Sequence, residues 1–170
     1  MPYAQGRYRS LACLTSVPTG PRPQEGWPVL LFLHGIGERA PAPEEIASEV
    51  VRDHPGNLRR MYLTGFSLGA NGILRIAPGE HAVWAAVWLV DPTLAPPGKI
   101  EGPIWVSAGE RARKHRAALV TTLALQELGP GGPADRVYED AGLDHVKTAD
   151  RAYGNSAIYT WLLRHERREE

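Results

Sequence analysis

Two short, almost unbroken apolar runs constrain this chain more than any other feature: PVLLFL, from Pro28 to Leu33, and VWAAVWLV, from Val83 to Val90. A strand with no polar face must be covered on both sides, which is the situation of strands in a parallel sheet flanked by helices. Other short apolar runs alternate with helical patterns, and Gly and Pro punctuate the joins, as βαβ units require. The predicted class is therefore α/β, with a mostly parallel sheet of about six strands and helices on both faces. Candidate strands are Arg9 to Val17, Val29 to Leu33, Met61 to Phe66, Val83 to Val90, Ile104 to Ser107 and Arg136 to Tyr138. Candidate helices are Glu44 to His54, Leu68 to Ile76, Ala112 to Leu128 and Ser156 to Arg167. The third carries Leu119, Val120, Leu123 and Leu128 at helical spacing and stops at Gly129-Pro130-Gly131-Gly132. A length of 170 residues suits one domain, 1–170, with a real core.

Charge narrows the partners. Nineteen Lys plus Arg balance nineteen Asp plus Glu. No net field favours nucleic acid, membrane phosphates or a strongly ionic substrate, so the expected partner is a small, weakly charged molecule. Cys13 is the single cysteine, which excludes an internal disulfide and a multi-cysteine metal site and fits a reducing interior. The start MPYAQGRYRS lacks the apolar core of a signal peptide, and no apolar run is long enough to span a bilayer. The expectation is a cytoplasmic protein. H-E-x-x-H and G-x-x-x-x-G-K are both missing, so neither a metallohydrolase nor a nucleotide reading has support, and no metal or cofactor is expected.

The chemistry starts in LTGFSLGANG, Leu63 to Gly72, which contains G-x-S-x-G. The motif follows a predicted strand and opens a predicted helix. That context separates it from a chance glycine turn, because a strained strand-to-helix turn lifts a serine hydroxyl to the C-terminal edge of a sheet. Gly65 and Gly69 flank a backbone too tightly folded for side chains, and the helix start sets a positive partial charge beneath the Ser67 oxygen. A second element is His34-Gly35-Ile36-Gly37, just past the strand ending in Leu33. Acyl transfer needs two backbone N–H donors for the developing oxyanion, one from the residue after the nucleophile and one from a loop of this kind. Leu68 and Ile36 are the candidate donors, with Gly35 giving the loop its freedom.

LLFLHGIGER, YLTGFSLGANG, the strand IWVSAG and the closing AGLDHVKTADRAYGNSAIYTWLL together resemble the α/β-hydrolase family, in particular its small carboxylesterase and dienelactone-hydrolase-like members. The resemblance touches most of the chain. It implies a minimal α/β-hydrolase fold and the chain order nucleophile, acid, histidine, met here by Ser67, an intervening carboxylate and His145. Two departures stand out. The interval from His34 to Ser67 is too short for the extra strand and helix that relatives fit there, which implies a trimmed core. The position where relatives usually keep the acid, three residues after Gly109, is Ala112. Glu110 is then the first-choice acid, because its longer side chain could reach back to His145. Asp91, directly after VWAAVWLV, is the second choice, and Asp144, adjacent to His145, ranks last.

The implied reaction is hydrolysis of an ester through an acyl-enzyme, with Ser67 as nucleophile and His145 as its base. DPTLAPPGKIEGP, Asp91 to Pro103, leaves no room for a helical lid, so a shallow site for short acyl esters is expected. The five tryptophans read as core, with Trp84 or Trp88 as a possible acyl-pocket wall. A thioesterase or peptidase would use the same residues. A non-catalytic α/β-hydrolase-like binding module would keep the motif without the acid.

Overall fold

In the computed structural model, residues 4–8, 11–34, 49–54, 56–79 and 83–167 are described. Strand β3 (Trp27–Leu33) is followed by β4 (Gly56–Phe66), helix α1 (Leu68–Ile76), β5 (Ala86–Val90) and β6 (Ile104–Ala108). A 3₁₀ turn (Ala112–His115) then leads into α2 (Arg116–Thr122), a short β7 (Gln126–Glu127), β8 (Arg136–Asp140), α3 (His145–Tyr153) and α4 (Ser156–Leu162). Ahead of these, β1 (Ala4–Tyr8) and β2 (Leu11–Thr15) form a separate antiparallel hairpin. The predicted strand from Arg9 to Val17 thus corresponds to β2, with Arg9 and Ser10 outside the described residues.

The main sheet has the order β3-β4-β5-β6-β8-β7 and is parallel throughout. Its register aligns the strand ends: Leu33 lies beside Gly65, Phe66 beside Val90, Val90 beside Ser107, and Ala108 beside Asp140. Whatever follows these positions therefore gathers along one edge, the carboxyl end, where open parallel sheets bind their ligands.

Alternation along the strands supplies two cores. Leu63, Val87, Leu89, Ile104 and Val106 pack with Ala70, Ile73 and Leu74 of α1 and Leu119 of α2 on one face. Tyr62, Trp88, Val90, Trp105 and Val137 pack with Ala152 of α3 and Ile158, Trp161 and Leu162 of α4 on the other. Each fully buried large side chain contributes about 1.5–3 kcal/mol, so helices on both faces are dictated by the doubly apolar strands. Trp161 adds specificity by meeting Trp105 edge-on at 5.4 Å and donating its indole N–H to the Ala134 carbonyl at 2.8 Å.

Two predicted helices end early. The expected Ala112 to Leu128 helix closes at Thr122, because burial changes period there. Leu119 and Leu123 are four apart and buried, but Leu125 is also buried while Ala124 and Gln126 are exposed, the alternation of a strand. Ala124, at φ 49°, makes the break, and Gln126 and Glu127 join β8. The last helix stops at Leu162 rather than Arg167. Of the predicted helix from Glu44 to His54, residues 49–53 are helical and 44–48 lie outside the described residues. No helix among the described residues is long and apolar enough to cross a membrane.

Candidate active site

Ser67 occupies the turn between β4 and α1 at φ 58°, ψ −115°, a conformation that side chains other than hydrogen rarely adopt. The surroundings hold it there. Its N–H donates to the Val90 carbonyl at 3.0 Å, and its own carbonyl accepts from Asn71 N–H at 3.0 Å. The flanking glycines have steric reasons. A Cβ on Gly65 would come within 2.7 Å of the Gly69 carbonyl carbon, and one on Gly69 would stand 2.0 Å from the Leu33 carbonyl oxygen. Gly69 therefore lets α1 press against the end of β3. Leu68, as the first residue of α1, has an N–H with no carbonyl a turn earlier to bond. Gly35 and Ile36, proposed from sequence for the oxyanion loop, lie outside the described residues.

His145 is the first residue of α3, a helix that is not among those expected from the sequence. Asp144 is the N-cap and accepts from Lys147 N–H at 2.9 Å, a bond that, with the Lys147 ammonium, holds the Asp144 carboxyl below the usual range. This role occupies Asp144 on the helix rather than on the imidazole. The His145 ring lies against Phe66, with centroids 4.5 Å apart. Its Nε2 is 3.0 Å from Ser67 Oγ and its Nδ1 is 2.6 Å from Asp91 Oδ2.

Asp91 follows β5 directly and is fully buried, at 0% exposure, with φ 41°. A buried carboxylate is tolerable only with strong donors around it. Its Oδ1 accepts from Gly109 N–H and Ala112 N–H, each at 2.8 Å, and Oδ2 has a longer contact of 3.4 Å with Arg111 N–H beside the short bond to His145. With an ionised carboxylate as acceptor, the proton of a neutral imidazole must sit on Nδ1. That leaves Nε2 free to accept from the Ser67 hydroxyl. The next residues are clamped too: Asn71, buried in α1, donates through its amide to Thr93 Oγ1 at 2.7 Å and accepts from Thr93 N–H at 2.9 Å.

Glu110 does not occupy the place the sequence reading gave it first. Its carboxylate is exposed and pairs with its neighbour Arg111 at 3.2 Å. The reason is the turn after β6: Gly109, Arg111 and Ala112 aim their backbone N–H groups inward at Asp91, which leaves the Glu110 side chain out in solvent. Trp84 and Trp88 are likewise not at the site. Trp88 is buried in the core beneath α3 and α4 and donates to Ser107 Oγ at 3.1 Å, and Trp84 packs into the opposite core.

Sequence reasoning missed Phe66, Asn71, Thr93 and Thr148. Phe66 was within reach as the residue before the serine, but Asn71 and Thr93 act only through a fold that joins α1 to the turn after β5. Thr148 crowds Gly109: a Cβ there would lie 2.4 Å from Thr148 Oγ1 and 2.8 Å from Asp91 Oδ2. Around the serine lies a cleft of about 430 Å³ lined by Ser67, Thr93, Arg111, Lys114, His115 and His145.

No family model matches this sequence, and no curated protein matches it. Among solved structures, the chain is similar to one described as a crystal structure of a thermostable esterase, with a TM-score of 0.70 and 18% identity over 97% of this chain. The likeness is one of fold. The chain spans 63% of that neighbour's length.

Proposed function

We propose that this protein is a serine hydrolase of the carboxylesterase type, a single α/β-hydrolase-like domain that cleaves short-chain acyl esters through an acyl-enzyme. The observation that carries the reading is the continuous hydrogen-bonded chain from Asp91 through His145 to Ser67, which joins the turns after β4 and β5 to the start of α3. In this reading Ser67 attacks the ester carbonyl while Nε2 of His145 takes the hydroxyl proton and then delivers it to the leaving alcohol. A water molecule repeats the sequence to release the acid. Asp91 holds the imidazole in the productive tautomer and stabilises the imidazolium. The Leu68 N–H supplies one oxyanion donor and Ile36 the other. The fold neighbour's description as an esterase agrees with this reaction class.

The connection from Asp91 to Pro103 contains no helix, and among the described residues the cleft around Ser67 is lined by Thr93, Arg111, Lys114, His115 and His145, with no long apolar side chain to enclose an acyl tail. Short acyl groups suit such a site. The test is a panel of activated acetyl, butyryl and dodecanoyl esters, with matching thioesters and amides, against wild type and Ser67→Ala. Short esters should turn over fastest and the variant should retain at most about a thousandth of the rate. Equal turnover in Ser67→Ala would end the assignment.

A further inference from the structure

The whole chain is neutral, which argues for a weakly charged substrate, but the cleft has its own charge. Five basic residues, Arg111, Arg113, Lys114, His115 and Arg116, fall within the six positions 111–116 after β6. In a 3₁₀ turn residues three apart eclipse, and this sorts them into two sets. Arg113 and Arg116 face away: Arg113 bonds both carboxylate oxygens of Asp140, at 2.7 and 2.8 Å, and Arg116 pairs with Glu127. Arg111 and Lys114, also three apart, line the cleft with Ser67 and His145, and His115 joins them.

No buried carboxylate among the described residues pairs with a side chain of the cleft set. No carboxylate among the described residues pairs with Lys114. Among the described residues the Arg111 side chain pairs with Glu110, its chain neighbour, and both side chains are about half exposed (50% and 45%), so an incoming anion competes with a solvent-screened partner. Asp91, the nearest buried carboxylate, has its oxygens engaged by backbone N–H groups and His145. Two cations on one wall of a cleft raise the local concentration of anions there.

We propose that Arg111 and Lys114 form a subsite for a carboxylate, and that the preferred substrates are short esters carrying one carboxylate group. The proposal rests on the serine-hydrolase reading for the reaction but not for the binding. The guanidinium offers paired donors to the carboxylate and the ammonium a second charge.

The test uses near-isosteric pairs. 4-Nitrophenyl hemisuccinate against 4-nitrophenyl butyrate places the charge in the acyl part. The butyryl ester of 4-hydroxybenzoate against that of its methyl ester places it in the leaving alcohol. In at least one pair the charged member should show about a tenfold higher kcat/KM at low salt, with the ratio falling as ionic strength rises. The ratio should drop towards one in Arg111→Gln/Lys114→Met and persist in Arg113→Gln, which removes a charge from the other side of the same turn. Equilibrium binding of monomethyl succinate and methyl butyrate to Ser67→Ala separates the two readings. Tighter binding of the charged ligand without any ester turnover in wild type would leave the subsite standing and remove the hydrolase. Ester turnover with no preference for charge in either pair, or a preference that survives Arg111→Gln/Lys114→Met, would overturn the subsite.

Discussion

Two neighbouring strands, β5 and β6, end side by side at the same edge of the sheet, and a carboxylate follows each. Asp91 comes directly after β5, with its backbone at φ 41°, no exposed surface and two 2.8 Å bonds from backbone N–H groups. Glu110 comes two residues after β6, exposed and paired with an equally exposed arginine. Both lie within a few residues of the edge that carries Ser67. The difference lies in what the second turn donates: residues 109 and 112 have turned their N–H groups toward the first turn's carboxylate. One strand end carries the buried carboxylate and its neighbour carries the backbone donors that solvate it. An acid position is thus identified by the donors that converge on a carboxylate, and counting along one strand does not reveal them.

The largest effect expected from this contrast is that of Asp91→Asn. Its amide oxygen can still accept from Gly109 and Ala112, so the fold should survive, but the amide nitrogen then faces Nδ1 of His145 and selects the wrong tautomer. Turnover should fall by up to about 10⁴-fold, with the circular dichroism spectrum unchanged. Retention of most activity would show that the buried carboxylate is only structural.

Gly109→Ala probes the donor side. Its Cβ has no room between Thr148 Oγ1 and Asp91 Oδ2, so the turn or the carboxylate must shift. A displacement approaching 1 Å would lower kcat about a hundredfold with a lesser effect on KM. Wild-type kinetics would mean that the turn after β6 does not set the position of Asp91.

Glu110→Gln should change kcat/KM for a neutral ester by no more than about twofold, as expected of an exposed ion pair. A loss comparable with that of Asp91→Asn would reverse the contrast.

Asp140, the last residue of β8, is a third carboxylate at this edge and should give the smallest effect. The Arg113 guanidinium beside it holds its carboxyl below the usual range. Because the folded value is depressed, its contribution to stability is complete above the unfolded value of about 3.9 and disappears as pH falls through the folded one. Asp140→Asn should therefore lower the thermal midpoint slightly at neutral pH, with the difference from wild type vanishing in acid. A difference that stays constant down to the acid limit would contradict the assigned pairing.

Much of the architecture is legible in the sequence because parallel strands buried on both faces leave continuous apolar runs. β5 and β6 fall within a few residues of the expected bounds, whereas β4 starts five residues before Met61, in the more polar GNLRR. Helix α3 was not legible, since HVKTADRAY carries only a thin apolar stripe, Ala149, Ala152 and Tyr153, while Val146 is exposed. At the site, the serine turn was readable because its requirements are local: two glycines, a strand before and a helix after. Which carboxylate meets His145 was not, because the burial of Asp91 depends on N–H groups 18 and 21 residues further on. The basic wall was hidden for a similar reason. RARKHR reads as a uniform charged run until the 3₁₀ turn divides it into a paired side and a cleft side.

The central claim is that Ser67 is a nucleophile activated through His145 by Asp91, and covalent labelling tests it most directly. Wild type, Asp91→Asn and Glu110→Gln would each be treated with a fluorophosphonate that reacts only with activated serines, and the modified peptide identified by mass. One label per chain is expected, on the peptide containing Ser67, forming at similar rates in wild type and Glu110→Gln and far more slowly in Asp91→Asn. No label on Ser67, or equal labelling rates in all three proteins, would contradict it.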